Sequence, residues 1–388
     1  MLNRRPAWAE VDLDAVAANV RALVATAAPA AVCAVVKADG YGHGAVPVAE
    51  AALAAGASWL GVAMSAEAAP LRAAGIDAPI LLLAEPAPAE VDDAVALRVR
   101  PTVYTRSGID GVADAAARAG APAVPVHLKV DTGMHRVGAE PAGAPALAAA
   151  ALRRPELVLE GVWTHCAVAD EPGNPFTVRQ AERFEAVLAE LRSAGVRPAL
   201  VHAANSAAAL DHPRLRHDLV RCGITVYGLE PSPALHDRIQ LRPALSLRAR
   251  VSLVKVVPAG EGVSYGLRYR RATDSVVATV PLGYADGVPR RLSAVGGEVL
   301  LGGRRRPLAG TVTMDQILVD CGPAGEASAD SVRCGDEVVL LGEQGGERIG
   351  AEEWAARLDT IPYEVVCGIS PRVPRRYRRS AGLGGEHG

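Results

Sequence analysis

Between about residues 30 and 230, two kinds of hydrophobic pattern alternate along the chain. Short apolar runs rich in β-branched residues are separated by Ala-rich stretches such as AVPVAEAALAAG, in which apolar residues recur at helical spacing. The apolar runs are AVCAVVKA, SWLGVAM, APILLLAEP, RPTVYT, VPVHLKVD, LVLEGVWTH, LVHAANS and LVRCGITVYG. Eight repeats of strand and helix predict a parallel (β/α)8 TIM barrel.

The pattern changes after about residue 240. Segments such as DSVVATVPLGYADG, GGEVLLGGRRRPLAG and DEVVLLGEQ are typical of short strands joined by glycine-rich turns, which indicates a mostly antiparallel β domain. We therefore predict an α/β protein of two domains, with the barrel over residues 1–240 and the β-strand domain over residues 241–388. A loose tail is expected after about residue 378.

Bulk composition narrows the functional class. A net charge of −2 offers no basic face for nucleic acid, and no apolar run reaches the ~18 residues of a membrane span. The N-terminal sequence lacks the pattern of a signal peptide. Six scattered cysteines without a C-x-x-C pair argue against a metal or disulfide framework. We expect a cytoplasmic protein that acts on a small molecule, without a metal, nucleic-acid or membrane partner.

Lysine is unusually scarce in this chain. Of 41 basic residues only Lys37, Lys129 and Lys255 are lysines. Arginine keeps its proton in proteins, whereas a lysine amine can lose it and become a nucleophile. Lys37 and Lys129 lie at the ends of apolar runs, which indicates amine chemistry, although chance survival is an alternative. Lys255, within LVKVVPAG, fits that alternative.

Polar residues cluster at the predicted C-terminal ends of the barrel strands, where barrel active sites are built. They are Lys37, Asp131, His165, Asn205 and Arg221. The glycines after Lys37 match neither a dinucleotide fingerprint, because the third arrives one residue early, nor a Walker loop, because the lysine precedes them. The remaining interpretation is a lysine at the barrel mouth that can form a Schiff base.

The segment VVKADGYGHG resembles the pyridoxal-phosphate lysine motif of bacterial alanine racemases, which are fold type III enzymes. The similarity continues in the family's order through HLKVDTGMHRVG, THCAVAD, HAANSAA, RCGITVYGLEPSP, GVSYGLRY, LGYADG, TVTMDQ and IPYEVVCGIS. It extends from about residue 5 to 378. The resemblance implies a homodimeric, pyridoxal-phosphate-dependent isomerase that interconverts L-alanine and D-alanine and provides D-alanine for peptidoglycan.

The resemblance also implies which residues hold the cofactor. Lys37 would link to it as a Schiff base, His165 and Asn205 would contact it, and Arg221 would face its pyridine nitrogen. The implied phosphate cradle consists of Tyr41, Ser206, Gly223, Ile224 and Tyr363. Hydroxyl and backbone N–H groups after the last two barrel strands are a common phosphate site. Ser206 could also serve as a helix N-cap.

Arg221 and Tyr265 point to racemisation. An arginine donates to the ring nitrogen and leaves the ring neutral, which makes a weaker electron sink and a shorter-lived carbanion. Pairing with Asp218 at the surface is the alternative for Arg221. Racemisation needs a base on each face of the α-carbon, and the resemblance implies Lys37 on one face and Tyr265 of the partner subunit on the other. His165 would contact that tyrosine; a tyrosine that only packs at a domain seam is the alternative.

Lys129 admits two interpretations. Alternation along VPVHLKVD turns its side chain inward with that of Asp131, so an ion pair is the simpler one. The resemblance implies instead that Lys129 is carbamylated (N6-carboxylysine) and orients Arg136, which would hold the substrate carboxylate. By the same resemblance, Met314 and Tyr284 would line the substrate side of the site.

Other functions are compatible with the same fold. They include a broad-specificity racemase, a decarboxylase, a cofactor carrier made of the barrel alone, and a pyridoxal-phosphate protein that acts as a sink for D-cycloserine. Arg221 argues against decarboxylation because it weakens the electron sink. The second domain, with GVSYGLRY, argues against a carrier. Substrate breadth and the sink stay open from the sequence.

Overall fold

The computed structural model describes residues 5–379, which form two compact units. The barrel unit comprises residues 14–243, and the β unit combines the N-terminal residues up to Leu13 with residues 244 onward. The chain begins with strand β1 (Ala7–Asp12) in the β unit and then enters the barrel unit through helix α1 (Leu13–Ala27).

The barrel unit contains an eight-stranded parallel sheet, as the sequence predicted. Its strands are β2 (Ala31–Val35), β3 (Trp59–Val62), β4 (Ile80–Leu82), β5 (Arg100–Val103), β6 (Val124–Lys129), β7 (Leu157–Trp163), β8 (Leu200–His202) and β9 (Leu219–Cys222). Neighbours follow chain order from β2 to β8, and β9 pairs with β2. The backbone N–H of Arg221 donates to the carbonyl of Ala204 at 2.9 Å, which joins β9 to the end of β8. All eight predicted strands are confirmed.

Helices alternate with these strands along the chain. They are α2 (Lys37–Tyr41), α3 (Ala45–Ala54), α4 (Ser65–Ala73), α5 (Val91–Ala96), α6 (Arg106–Ala119), α7 (Ala144–Leu152), α8 (Pro175–Ser193) and α9 (Ser206–Asp211). Between residues 5 and 379, no helix has both the length and the apolar character that crossing a membrane requires.

The eighth repeat differs from the prediction, because a 3-10 helix (Ile224–Tyr227) follows β9 instead of an α-helix. Helix α1 packs against this segment. Its buried Asn19 side chain donates to the carbonyls of Val226 and Arg242, at 3.2 and 2.9 Å, and accepts from the N–H of Arg242 at 2.8 Å. The helix that precedes the first barrel strand therefore completes the ring of helices.

The β unit is mostly antiparallel, as predicted. Its remaining strands are β10 (Leu245–Arg250), β11 (Leu253–Val257), β12 (Gly262–Val263), β13 (Tyr269–Arg270), β14 (Ser275–Val280), β15 (Glu298–Leu301), β16 (Arg304–Pro307), β17 (Ile317–Pro323), β18 (Glu337–Gln344), β19 (Glu347–Ile349) and β20 (Arg375–Arg378). The largest sheet has the order β16-β15-β18-β10-β1-β20, with β19 paired to β18; β11-β14-β17 and β12-β13 form two smaller sheets. The helices are α10 (Ala327–Asp330), α11 (Ala351–Leu358) and α12 (Pro362–Cys367).

The N-terminal boundary corrects the sequence-based division, which assigned residues 1–240 to the barrel. Strand β1 pairs antiparallel with β10, with Ala7 opposite Ala249, and parallel with β20. The local pattern of AWAEVD is equally compatible with either domain, because its pairing partners lie far along the chain. The tail expected after about residue 378 lies outside the described residues, apart from Arg379.

The role of Asn19 gives a stability prediction. Asn19→Leu removes three hydrogen bonds and leaves buried backbone groups unsatisfied, so we expect a loss of about 3 kcal/mol in the free energy of unfolding. Urea unfolding followed by far-UV circular dichroism measures the change. Thr26→Val on the same helix is the control, because the Thr26 hydroxyl donates to the carbonyl of Ala22, within its own helix. Equal stability of the two variants would contradict the proposed role of Asn19.

Candidate active site

Lys37 lies just beyond strand β2, at the start of an unusual turn. Ala38, Asp39 and Gly40 all adopt left-handed backbone conformations, with φ values of 52°, 51° and 61°. Such conformations are costly for residues with a Cβ and persist only where the surroundings impose them. The turn therefore needs other residues to hold it in place.

Two carboxylates hold this turn. Glu67 of helix α4 accepts from the N–H groups of Ala38 and Ala63, each at 2.7 Å, and so ties the turn to the end of β3. Asp39 accepts from the N–H of Ala45 at 2.8 Å, at the start of α3. Sequence reasoning identified Lys37 but missed Glu67, because that residue belongs to a different repeat and forms no motif with the lysine.

The predicted cradle residues of the barrel unit meet at the ends of β8 and β9. The hydroxyl oxygen of Ser206 accepts from the N–H of Gly223 at 2.8 Å and lies 3.1 Å from the hydroxyl of Thr225. Tyr41 is buried and stacks on Tyr227, with ring centroids 4.9 Å apart. A Cβ on Gly223 would lie 2.5 Å from the phenolic oxygen of Tyr41, so only glycine permits this approach. The cluster provides the hydroxyl and N–H groups that a phosphate needs.

Asn205, rather than Ser206, caps helix α9. Asn205 is the N-cap of α9, and its side-chain oxygen accepts from the N–H of Ala208 at 2.9 Å. Ser206 is therefore not the cap, and its hydroxyl faces Gly223. Ile224 is fully buried at the start of the 3-10 helix. Thr225, which sequence reasoning missed, adds a second buried hydroxyl next to Ser206.

Arg221 is buried in the barrel with neutral partners. One terminal nitrogen, Nη1, donates to Nδ1 of His202 at 2.8 Å. The other, Nη2, donates to the carbonyls of Thr164 and Ala203, at 2.8 and 2.9 Å, and to Nδ1 of His165 at 3.2 Å. None of the hydrogen bonds of Arg221 within residues 5–379 uses Nε, which leaves one N–H donor for a ligand.

The surface alternative for Arg221 is wrong. Asp218, its suggested partner, accepts instead from the backbone N–H of Val201 at 2.8 Å. Burial lowers the pKa of the Arg221 guanidinium to about 10, so the group still carries its proton at neutral pH. The site therefore has a buried cation whose side-chain partners are two imidazoles.

His165 is neutral and has a defined tautomer. Burial lowers the pKa of this imidazole well below its usual range, and the nearby positive charge of Arg221 lowers it further. Since an arginine can only donate, Nδ1 of His165 accepts and the proton resides on Nε2. Gln180 of α8, which sequence reasoning missed, positions this loop by donating to the carbonyl of His165 at 3.0 Å and to the hydroxyl of Thr132 at 3.2 Å.

Lys129 is a buried amine among cations. Its Nζ lies 4.4 Å from the centroid of the Trp163 ring, which the Arg221 guanidinium also contacts at 4.4 Å. Burial lowers the pKa of Lys129 to about 7, with further contributions from Arg221 and Arg136. In the described part of the chain, no carboxylate lies within ion-pair distance of this amine.

Asp131, the ion-pair partner considered for Lys129, organises a loop instead. Its Oδ1 accepts from the N–H groups of Gly133 and His135, at 2.9 and 3.1 Å. Burial opposes ionisation of this carboxyl, but these hydrogen bonds outweigh it and keep the pKa of Asp131 below its usual value. The loop carries the exposed Arg136, close enough to Lys129 for their charges to interact.

In the β unit, Tyr265 combines an exposed phenol with a fixed backbone. The residue is 73% exposed, on the loop between β12 and β13. The hydroxyl of Thr311 donates to the carbonyl of Tyr265 at 2.9 Å, and Ser264 donates to the carbonyl of Thr311 at 2.6 Å. After the loop, Tyr269 donates to the carboxylate of Asp320 at 2.6 Å. Thr311 and Asp320 were missed, because no sequence pattern links them to the tyrosine.

Tyr284 and Met314 are also exposed on rigid backbone. The N–H of Tyr284 donates to the carbonyl of Thr313 at 2.9 Å, and the next N–H donates to the carbonyl of Met314 at 3.0 Å. The buried carboxylate of Asp286 caps this turn and accepts two hydrogen bonds of 2.7 Å from Arg5. Exposed Tyr and Met side chains on an ordered surface are typical of a binding site.

The predicted site residues thus form two groups, one in each unit. The barrel unit contains Lys37, Tyr41, Lys129, Arg136, His165, Asn205, Ser206, Arg221, Gly223 and Ile224. The β unit contains Tyr265, Tyr284, Met314 and, in α12, Tyr363. Within the barrel unit, a lysine, a hydroxyl-lined cradle and a buried arginine lie at the C-terminal ends of the strands. This combination suits a phosphorylated, nitrogen-containing ring linked to an amine.

Comparison with known proteins agrees with this geometry. The alanine racemase N-terminal domain model matches residues 11–231, and the C-terminal domain model matches residues 244–377. The alanine racemase of Symbiobacterium thermophilum is 51% identical over 374 residues, 96% of this chain and 97% of the relative.

Solved structures of alanine racemases are also similar over nearly the whole chain. The alanine racemase of the D-cycloserine producer Streptomyces lavendulae is 45% identical, with a TM-score of 0.90 over 97% of this chain and 98% of the other. That of Bacillus anthracis with bound L-Ala-P is 41% identical, with a TM-score of 0.90 over 98% of this chain and 96% of the other. Both domain models and near-complete coverage of these relatives show that the chain belongs to the alanine racemase family.

Proposed function

We propose that this protein interconverts L-alanine and D-alanine with pyridoxal phosphate, on which the alanine racemase family depends. The cofactor, when bound, holds the substrate amine and withdraws electrons from the α-carbon. The observation that carries the proposal is the buried, protonated Arg221, at the same end of the barrel as Lys37 and the hydroxyl cradle. Its Nε–H makes no hydrogen bond within the part of the chain that the structure describes.

The donor chemistry of the barrel fits this cofactor. Gly223 lets the phenol of Tyr41 approach the backbone beside Ser206 and Thr225, where these groups would hold the phosphate. Arg221 would donate to the ring nitrogen, and because its pKa stays near 10 it would keep its proton at neutral pH rather than transfer it to the ring. A ring nitrogen without a proton is a weaker electron sink, which favours racemisation over decarboxylation.

The two proton-transfer groups come from different units. Lys37 would serve one face of the substrate α-carbon, and Tyr265 of the partner subunit would serve the other. The exposed phenol of Tyr265, on a backbone held by a hydrogen bond from Thr311, supports this assignment. A base that acts in the active site of another subunit must project from the surface of its own. The Nε2–H of His165 would donate to that phenolic oxygen. The proposal therefore includes a homodimer with shared active sites.

Substrate selection would follow from one cation and two bulky side chains. Arg136, exposed on the loop organised by Asp131, would bind the substrate carboxylate. Tyr284 and Met314 of the partner subunit, held at fixed backbone positions, would leave room for a methyl group. Tyr363, in α12, would complete the phosphate cradle.

The cellular role that we propose is provision of D-alanine for peptidoglycan in the cytoplasm. All six cysteines are free thiols, four of them buried, which agrees with a reducing compartment.

Isotope exchange tests the proposed reaction. The purified holoenzyme is incubated with L-alanine in deuterated water while optical rotation and α-hydrogen exchange are followed. We expect loss of optical activity together with deuterium incorporation, starting from either enantiomer. A panel of larger amino acids tests substrate breadth, and each should react more slowly than alanine. Retained optical activity in a protein loaded with cofactor would contradict the proposal.

Separate variants test the two bases. We expect Lys37→Ala and Tyr265→Phe each to lower kcat by about 10²–10⁴-fold, the usual contribution of a general base. Tyr265→Phe should abolish α-hydrogen exchange from one enantiomer more strongly than from the other. Tyr377→Phe is the control, because this phenol lies 43% exposed on β20 and has no proposed role. Equal exchange from both enantiomers in Tyr265→Phe would rule out the two-base scheme.

Lys129 is proposed to carry a carbamate. Carbon dioxide adds to the neutral amine, a nitrogen–carbon bond forms and the nitrogen releases a proton, which leaves an anion. A buried amine with a pKa of about 7 supplies the neutral form, and Arg221 and Arg136 would stabilise the anion. The anion would in turn orient Arg136 toward the substrate carboxylate.

The pH dependence of this carbamate is predictable. Its occupancy should rise as the pH increases through about 7, because deprotonation of Lys129 precedes carbon dioxide addition. Carbon-13 NMR of protein equilibrated with 13C-bicarbonate should show a carbamate signal that is absent from Lys129→Arg. A spectrum without that signal well above pH 7, with the wild-type fold intact, would contradict the assignment.

A further inference from the structure

A chain of hydrogen bonds leads from Arg221 into the barrel, away from the proposed cofactor site. Nη1 of Arg221 lies 2.8 Å from Nδ1 of His202. Nδ1 of His127 lies 2.8 Å from Nε2 of His202, and Nε2 of His127 lies 3.0 Å from the Glu160 carboxylate. Arg100 flanks the far end, with its Nε 3.3 Å from that carboxylate. Both histidines are fully buried.

Arg221 and Glu160, the two ends of this hydrogen-bond chain, determine which atom donates in each of its hydrogen bonds. Arg221 can only donate, so Nδ1 of His202 accepts and its proton lies on Nε2. That proton is donated to Nδ1 of His127, whose own proton lies on Nε2. An ionised Glu160 can only accept, which suits the proton on Nε2 of His127. All three hydrogen bonds therefore run from Arg221 toward Glu160.

The neighbouring barrel strands accommodate the His127 and His202 rings of this hydrogen-bond chain. A Cβ on Gly161 would lie 2.3 Å from Nδ1 of His127, so the strand residue opposite His127 must be glycine. The pairing of β6 with β7 also shifts register between Val126 and His127. The His202 ring stacks on Trp163 with centroids 5.4 Å apart and an angle of 12°, which fixes its plane.

The hydrogen-bond chain links the buried charge of Arg221 to a carboxylate. Among residues 5–379, no carboxylate is a direct partner of Arg221, and the carboxylate at the far end of the hydrogen-bond chain is that of Glu160. Burial disfavours ionisation of Glu160, but the hydrogen bond from His127 and the charge of Arg100 outweigh it and lower the pKa of this carboxyl. Burial lowers the pKa values of His127 and His202, so both stay neutral.

We propose that Glu160 and His127 are positioning residues of the active site. The carboxylate fixes the tautomers of His127 and His202, and these in turn hold Arg221 as a hydrogen-bond donor. Without the carboxylate, the hydrogen bond between His127 and His202 can reverse its direction. A proton on Nδ1 of His202 would then face the Nη1 donor of Arg221. The catalytic consequence rests on the proposed racemase function, whereas the tautomer assignment does not.

Nitrogen-15 NMR of histidine-labelled holoenzyme tests the tautomers directly. His127→Asn and His202→Asn assign the signals. In the wild type we expect His127 and His202 to be neutral, with the proton on Nε2, between about pH 6 and 9. A wild-type His202 that is charged or protonated on Nδ1 would overturn the proposal without any activity measurement.

Glu160→Gln then tests the carboxylate. We expect a mixture of tautomers at His127 and His202 and about a tenfold lower kcat, the scale on which partners of ligating residues act, with KM changed less than kcat. Glu156→Gln is the matched control, because Glu156 precedes the same strand and pairs with Arg154 at the surface. Wild-type tautomers together with wild-type kcat in Glu160→Gln would overturn the proposal.

A second variant covers the case in which Glu160→Gln does not fold. Gly161→Ala leaves Glu160 and Arg221 chemically unchanged but displaces the His127 ring, so it should change the His202 tautomer signal in the same direction. An unchanged His202 signal in folded Gly161→Ala protein would count against a chain that acts through His127. If the protein lacked racemase activity altogether, the NMR measurements would still decide the tautomer claim.

Discussion

The organisation of the barrel site depends on one buried cation. Removing the charge of Arg221 from water is costly, and the barrel compensates with two backbone carbonyls and two imidazole nitrogens rather than with a carboxylate. Those partners must be acceptors, so His165 and His202 must both be neutral and must carry their protons on Nε2. The same positive charge contributes to the low pKa of Lys129. One residue thus influences the protonation of its neighbours in the barrel.

A second constraint is that the proposed site residues are divided between the two units. The barrel unit contains the Lys37 amine, the hydroxyl cluster around Ser206 and the buried arginine. The β unit contains exposed aromatic and thioether side chains on hydrogen-bonded backbone. Hydroxyl and carboxylate groups immobilise the backbone beneath Tyr265 and Tyr284, while the side chains project outward. In the proposed homodimer, this surface of one subunit would supply Tyr265 to the barrel of the other.

Sequence patterns predicted the eight barrel strands and the antiparallel β domain because each depends on local periodicity. Lys37, Lys129 and Arg221 were identifiable because they are chemically unusual at strand ends. The pattern could not assign β1 to its sheet, since β10 and β20 are remote in sequence. It also missed Glu67, Gln180 and Thr311, each of which supports a loop from another element. The hydrogen bonds of such residues depend on tertiary contacts that no motif records.

The proposed function depends most directly on the protonation state of the cofactor ring, which we propose that Arg221 determines. Nitrogen-15 NMR of the holoenzyme, reconstituted with ring-labelled pyridoxal phosphate, measures that state directly. A chemical shift of a hydrogen-bonded but unprotonated pyridine nitrogen, constant between about pH 6 and 9, is the predicted result for an arginine that stays protonated. A pyridinium shift in the same range would show that Arg221 does not control the ring, and would contradict the account.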